Sequence, residues 1–146
     1  MKTALQILRS KLDQTVHTMG PNASAYEAVS LMVDKNIGAL VVVERDQVVG
    51  IVSERDYARR IVLMARSAKD TLLGDIMSSP VLYVKPDQTL EECMALMTEN
   101  RLRHLPVMDG SRLIGLISIG DLVKATISEQ KFTIEQLEHY ISGQLD

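Results

Sequence analysis

Apolar residues along this chain follow one order of patterns and then repeat it. A short apolar segment, VHTM (16–19), runs through the turn MGPNAS into a stretch whose apolar positions recur at helical spacing over about 25–36. Ser24 stands where a helix N-cap is wanted, because its hydroxyl can accept from an early amide. Two β-branched runs follow, ALVVV and QVVGIVS, joined by the turn residues ERD. Their near-continuous apolar character predicts strands buried on both faces, with helices covering the sheet. A second helix is expected over about 54–66. The order then returns with VLYV, the turn KPDQT, Thr89 as N-cap, a helix with Leu90, Cys93, Met94, Leu96 and Met97 on one face, and the runs HLPVM and RLIGLIS around DGS. A closing helix is expected over about 120–129.

A shift of 65 residues brings the two passes into register without a gap. Val16 then meets Val81, Pro21 meets Pro86, Glu27 meets Glu92, Leu31 and Met32 meet Leu96 and Met97, and Leu40 and Val42 meet Leu105 and Val107. Gly50, Ser53 and Asp56 fall on Gly115, Ser118 and Asp121. Identities held in one unbroken register mark an internal duplication. Each repeat reads as a βαββα unit, preceded by a helical lead-in, TALQILRSK before the first and LLGDIM before the second. The expected partition is residues 1–66 with the amino-terminal helix, 67–130 with the linker, and 131–146 as a carboxy-terminal extension. In that extension Ile134, Leu137 and Ile141 sit at helical spacing, so it packs either on the body or on a partner chain.

Composition narrows the function. Aromatics make up 3% of the 146 residues against 46% apolar overall, so the core must be aliphatic. The net charge of −3 is spread along the chain with no basic stripe, which argues against nucleic acid as a partner. The longest apolar run, around 37–43, is far shorter than the roughly 20 residues of a membrane span, and MKTALQILRSKLDQ lacks a signal-peptide pattern. A cytoplasmic protein without membrane contact is the expectation. Cys93, the single cysteine, aligns with Ala28 and reads as a buried filler. His17, His104 and His139 are too scattered for a metal site, and no nucleophile–base pair or carboxylate pair suggests catalysis.

The chemistry therefore rests on what the duplication repeats. Ser-x-x-Asp reads as a helix cap, with Ser53 or Ser118 accepting from the first turn and Asp56 or Asp121 placed where the helix dipole favours an anion. It also reads as a binding device, since a strand running into a helix N-terminus offers amides and a hydroxyl to phosphate, and the carboxylate can accept both hydroxyls of a ribose. In NRLRHLPV, Arg103 and His104 lead directly into a buried strand on alternating sides. A cation there is either a solvated flank or a phosphate ligand.

The βαββα repeat, the LPV-type strand and the closing G-h-h-S-x-x-D, with h apolar, resemble the cystathionine β-synthase (CBS) domain, which occurs in tandem as a Bateman module. The resemblance implies an α/β fold of two pseudo-symmetric CBS repeats plus a carboxy-terminal helix, with two clefts for an adenosine ligand: AMP, ADP, ATP, NAD(H) or, less expected, S-adenosylmethionine. It carries the ribose role to Asp56 and Asp121 and the phosphate role to Ser53, Ser118, Arg103 and His104. Backbone and apolar groups at 16–19 and 81–84, including Val16 and Val81, would hold adenine, and Tyr83 or Tyr57 would either stack on the base or pack on its own sheet.

The repeats also differ. Gly38 and Ala39 replace Arg103 and His104, whereas Arg55 and Arg59 flank the first motif, as compensating cations or as a solvated helix face. The two clefts should therefore differ in ligand or affinity. These features imply a regulatory nucleotide sensor in signal transduction, acting on an unidentified partner protein, homodimeric and not an enzyme. The alternative is a dimerisation scaffold with vestigial clefts, its surface formed by residues such as Ile61, Val62 and Met64.

Overall fold

A computed structural model describes residues 2–142. Its regular elements are α1 (Ala4–Arg9), β1 (Thr18–Met19), α2 (Ala25–Lys35), β2 (Ala39–Glu44), β3 (Gln47–Ser53), α3 (Glu54–Tyr57), α4 (Leu90–Asn100), β4 (His104–Asp109), β5 (Arg112–Ser118) and α5 (Ile119–Ser142). The architecture is the expected α/β duplication. β1 runs parallel to β2 and β2 antiparallel to β3, while β4 and β5 form a two-stranded sheet. The segment corresponding to β1 in the second repeat has a single parallel bridge, Val84 with Val107, where a strand was expected.

The caps are those the sequence predicts. Ser24 Oγ accepts from the Glu27 amide at 3.0 Å, and Thr89 and Glu92 form a reciprocal box at the start of α4. α2 and α4 each end on a residue with positive φ, Asn36 and Arg101. The β2–β3 turn places both Arg45 and Asp46 at positive φ, matching the hairpin twist.

The chain falls into two compact units, neither of them a contiguous half. One takes in Thr15–Tyr83 with Met108–Gly115; the other takes in Met1–Gln14, Val84–Val107 and Leu116–Asp146, described as far as residue 142. The first has a core of Ala25, Ala28 and Met32 from α2, Leu40, Val42 and Val52 from the sheet, and Ile61, Leu73 and Ile76 beyond it. Each large aliphatic buried there contributes about 1.5–3 kcal/mol of transfer free energy. In the second unit Ile7 and Leu8 of α1, Leu90, Cys93 and Met97 of α4, Leu105, Ile117 and Leu122 are all buried.

This grouping differs from the partition at residue 66, because each lead-in docks on the repeat it does not precede. Residues 2–5 bond to the turn before α4: Ala4 N donates to Gln88 O at 2.8 Å, Leu5 N to Pro86 O at 3.0 Å, and Leu90 N to Lys2 O at 2.9 Å. Residues 68–74 serve α2 in the same way, through Ala25 N to Thr71 O and Leu73 N to Ala23 O, both 2.8 Å. An orphan amide at the start of each helix, Ala25 N or Leu90 N, is satisfied by the other repeat's lead-in.

Two helices depart from expectation. The helix after β3 is only α3 plus a π-helical turn, Ala58–Val62, in which Ile61 is buried and Val62 and Met64 are exposed, so Ile61 belongs to the core and not to a docking surface. The extension over 131–142 is not a separate helix but the second half of α5, since no glycine or proline interrupts the chain from Asp121 to Ser142. Residues 143–146 of that expected extension lie outside the described residues.

Candidate functional site

Both copies of the repeated motif close into the same hydrogen-bonded box. In the first, the Ser53 amide donates to Asp56 Oδ2 at 2.9 Å and the Asp56 amide to Ser53 Oγ at 3.2 Å. In the second, the Ser118 amide donates to Asp121 Oδ2 at 2.8 Å and the Asp121 amide to Ser118 Oγ at 3.2 Å. A further backbone bond recurs at the same shift: Glu54 N to Gly38 O at 3.0 Å, and Ile119 N to Arg103 O at 2.8 Å. Each box is thereby pinned to the residue just before the preceding hairpin. Gly50 is required nearby, because a Cβ on it would collide with the Met77 side chain.

The surroundings of the two carboxylates diverge. Asp56 takes a long contact from Ser78 Oγ, 3.5 Å to Oδ1, where the second lead-in bridges to β3 through Ile51 and Ser78. Arg60 fastens that lead-in by donating to Ile76 O and Met77 O at 2.7 and 3.0 Å. Asp121 instead forms an ion pair with Lys11, 3.0 Å from Nζ to Oδ2, and Lys11 also donates to Leu116 O at 2.9 Å. Burial opposes ionisation of Asp121, but the Ser118 amide and the Lys11 ammonium outweigh it and hold the carboxyl below the ordinary aspartate value. Burial likewise lowers the His104 imidazole; the negative charge of Asp121 acts against this, and Lys11 and Arg103 add to it.

The structure thus groups Ser118, Asp121 and His104 with Lys11, at the end of a hairpin whose entry residue, Arg103, is exposed. An open cleft of about 510 Å³ adjoins Asp121, with Lys2, Ser10, Lys11, Lys124 and Ser128 along its walls. In the first repeat Ser53, Arg55 and Asp56 share the α3 turn and are half-buried. Val16 and Val81 are half-buried and Tyr83 is exposed, and none of the three takes part in the hydrogen-bonded clusters around the aspartates. Tyr57 packs partly buried against the core of its own repeat.

Lys11 and Ser78 were not among the residues singled out from the sequence. Lys11 aligns with Ile76 and Ser78 with Asp13, so a search for repeated polar residues passes over both. Among the described residues no group of three or more His, Cys, Asp or Glu could hold a metal ion, and no helix is long and apolar enough to cross a membrane.

The CBS-domain family model matches the chain twice, over residues 5–63 and 73–128. The chain belongs to the CBS-domain family. A solved CBS-domain protein of Burkholderia ambifaria MC40-6, described provisionally as a signal-transduction protein, is 56% identical with a TM-score of 0.85, covering 88% of this chain and 96% of that one. The mitochondrial CBS domain-containing protein CBSX3 of Arabidopsis thaliana is 42% identical over 82% of this chain, which spans 61% of that relative's length. The CBS domain-containing protein YhcV of Bacillus subtilis is 32% identical over 84% of this chain and 87% of its own. The two family matches are the two halves of the duplication, so the repeated boxes are the ends of two CBS domains.

Proposed function

We propose that this CBS-domain pair is a regulatory sensor of an adenosine-containing ligand, such as AMP, ADP, ATP or NAD(H), and relays its binding to a separate protein. The observation that carries this reading is the doubled box. In both copies the backbone ties down Oδ2 of the aspartate, so the carboxylate is oriented in advance. A fixed carboxylate suits the paired hydroxyls of a ribose.

The second repeat offers in addition the cations a phosphate tail needs. Lys11 pairs with Asp121, the charge of Arg103 is felt at the neighbouring His104, and Lys2 and Lys124 line the adjoining cleft. This favours phosphorylated ligands over S-adenosylmethionine, whose sulfonium would meet like charge there. The description of the Burkholderia relative in signal transduction supports a regulatory role. Relay to a partner requires that the ligand bind two states of the protein unequally.

The test is calorimetric titration of nucleotide-stripped protein with AMP, ADP, ATP, NAD⁺, NADH and S-adenosylmethionine, repeated on Asp121→Ala and Asp56→Ala. Saturable binding of a phosphorylated adenosine, weakened by Asp121→Ala, is the expected result. Ligand at about 100 times its Kd should then raise stability by roughly 2.7 kcal/mol. No heat across the panel, or binding unchanged in both variants, sinks the proposal.

A further inference from the structure

The ion pair at Asp121 engages the same carboxylate that a ribose would need. Oδ2 accepts from the Ser118 amide at 2.8 Å and from Lys11 Nζ at 3.0 Å. A carboxylate has about four lone-pair sites, roughly two on each oxygen, so these two donors fill Oδ2. Vicinal hydroxyls that grip a carboxylate side-on take one oxygen each, and the hydroxyl meant for Oδ2 meets an ammonium already in place. The amide belongs to the backbone of the β5–α5 corner and cannot leave. Lys11 can.

Its setting suits a movable donor. Lys11 lies just past the end of α1, its ammonium also donates to Leu116 O at 2.9 Å, and its side chain keeps 27% of its surface exposed. A compact ammonium on a flexible four-carbon stem can give up one acceptor for another, whereas a guanidinium fork would hold the carboxylate by two parallel bonds. The cleft of about 510 Å³ opens beside it, and Lys2 and Lys124 on the walls add positive charge, so a phosphate entering there meets Lys11 in cationic company. The first repeat lacks this device. A shift of 65 residues puts Ile76 at the position of Lys11, and Asp56 receives a neutral hydroxyl from Ser78 instead.

We propose that Lys11 is a tethered competitor for the ribose hydroxyls at Asp121, displaced most readily by a ligand whose phosphate replaces its lost counter-charge, so that the second repeat selects phosphorylated adenosines against the bare nucleoside. The inference rests on the nucleotide reading and adds the residue that sets its specificity. Adenosine must break the Lys11–Asp121 pair and offers the ammonium nothing in return, whereas AMP exchanges one anionic partner for another. Discrimination then comes from a penalty on the wrong ligand as well as from contact with the right one.

The experiment is calorimetric titration of the full chain with adenosine and with AMP, in an Asp56→Ala background that silences the first cleft. Adding Lys11→Met, which keeps the stem and removes the charge, should tighten adenosine about tenfold. AMP loses Lys11 both as obstacle and as phosphate partner, so its Kd should move by less than about threefold and the preference for AMP should drop by about tenfold. Lys11→Arg restores a cation and should keep that preference. A merely structural Lys11 would shift both ligands by one common factor, and that result, or adenosine binding that does not tighten, overturns the inference while leaving the nucleotide reading intact. So does wild-type binding that vanishes in the Asp56→Ala background, since the second cleft is then no site. If neither ligand binds wild type or any variant, the nucleotide reading falls and this inference falls with it.

Discussion

The two motif copies share a local box and differ in what reaches it from afar. Ser53–Asp56 and Ser118–Asp121 bond alike because the partners lie three residues apart on a strand-to-helix corner, so the same local sequence imposes the same contacts. Asp56 then meets the hydroxyl of Ser78, whereas Asp121 meets the ammonium of Lys11. Duplication preserved what short-range geometry dictates. The lead-ins, which come from outside the repeats they cover, were free to diverge, and they bring an ammonium to one carboxylate and a hydroxyl to the other.

The largest expected effect tests that asymmetry directly. Asp121→Ala removes a carboxylate only 14% exposed, takes the counter-charge from Lys11 and leaves the Ser118 amide without its acceptor, at a cost of about 2–3 kcal/mol in urea unfolding. Asp56→Ala loses the capping box and the long contact from Ser78, about 1 kcal/mol. Equal losses would mean that Lys11 contributes nothing. Gly50→Ala should cost about 1–3 kcal/mol by driving a methyl into Met77, and a Gly50→Ala/Met77→Ala double variant should lose less than the sum of the two.

Acid sharpens the same contrast. Because burial lowers His104, the unfolded chain takes up its proton first, so stability should begin to fall as pH drops through about 6.5 and keep falling until the folded imidazole is protonated. His104→Gln should flatten that part of the profile in thermal melts at stepped pH. Asp121 has the corresponding dependence in a lower window: its stabilisation is complete above the ordinary aspartate value and is lost as pH falls through the depressed folded one. The smallest effect separates the two hairpins. Arg45 adopts φ 51° where the second hairpin has Gly110 at φ 62°, and Arg45→Gly should raise the free energy of urea unfolding by several tenths of a kcal/mol, the relief of αL strain partly offset by glycine's entropy.

Cys93 shows how far alignment alone could go. Set against Ala28, it reads as a small core residue, and it is buried, with burial and then the charge of Glu92 pushing its thiol up to about 11. The helices α2 and α4 were equally legible, because a cap, a 3.6-residue period and a terminator all lie within about a dozen residues. The lead-ins were not. TALQILRSK shows a helix but nothing that says which repeat it will cover, and Lys11 has no counterpart to flag it.

The amino-acid sequence by itself determined the duplication, the order of strands and helices, the CBS family and the two Ser-x-x-Asp boxes, all of which follow from periodicity and contacts a few residues apart. Only the tertiary structure decided that each lead-in caps the opposite repeat, that Lys11 pairs with Asp121, and that α5 turns an apolar face outward along its whole length. Those are contacts, or the lack of them, between residues more than 40 positions apart, and their sign depends on which surfaces the core has already buried.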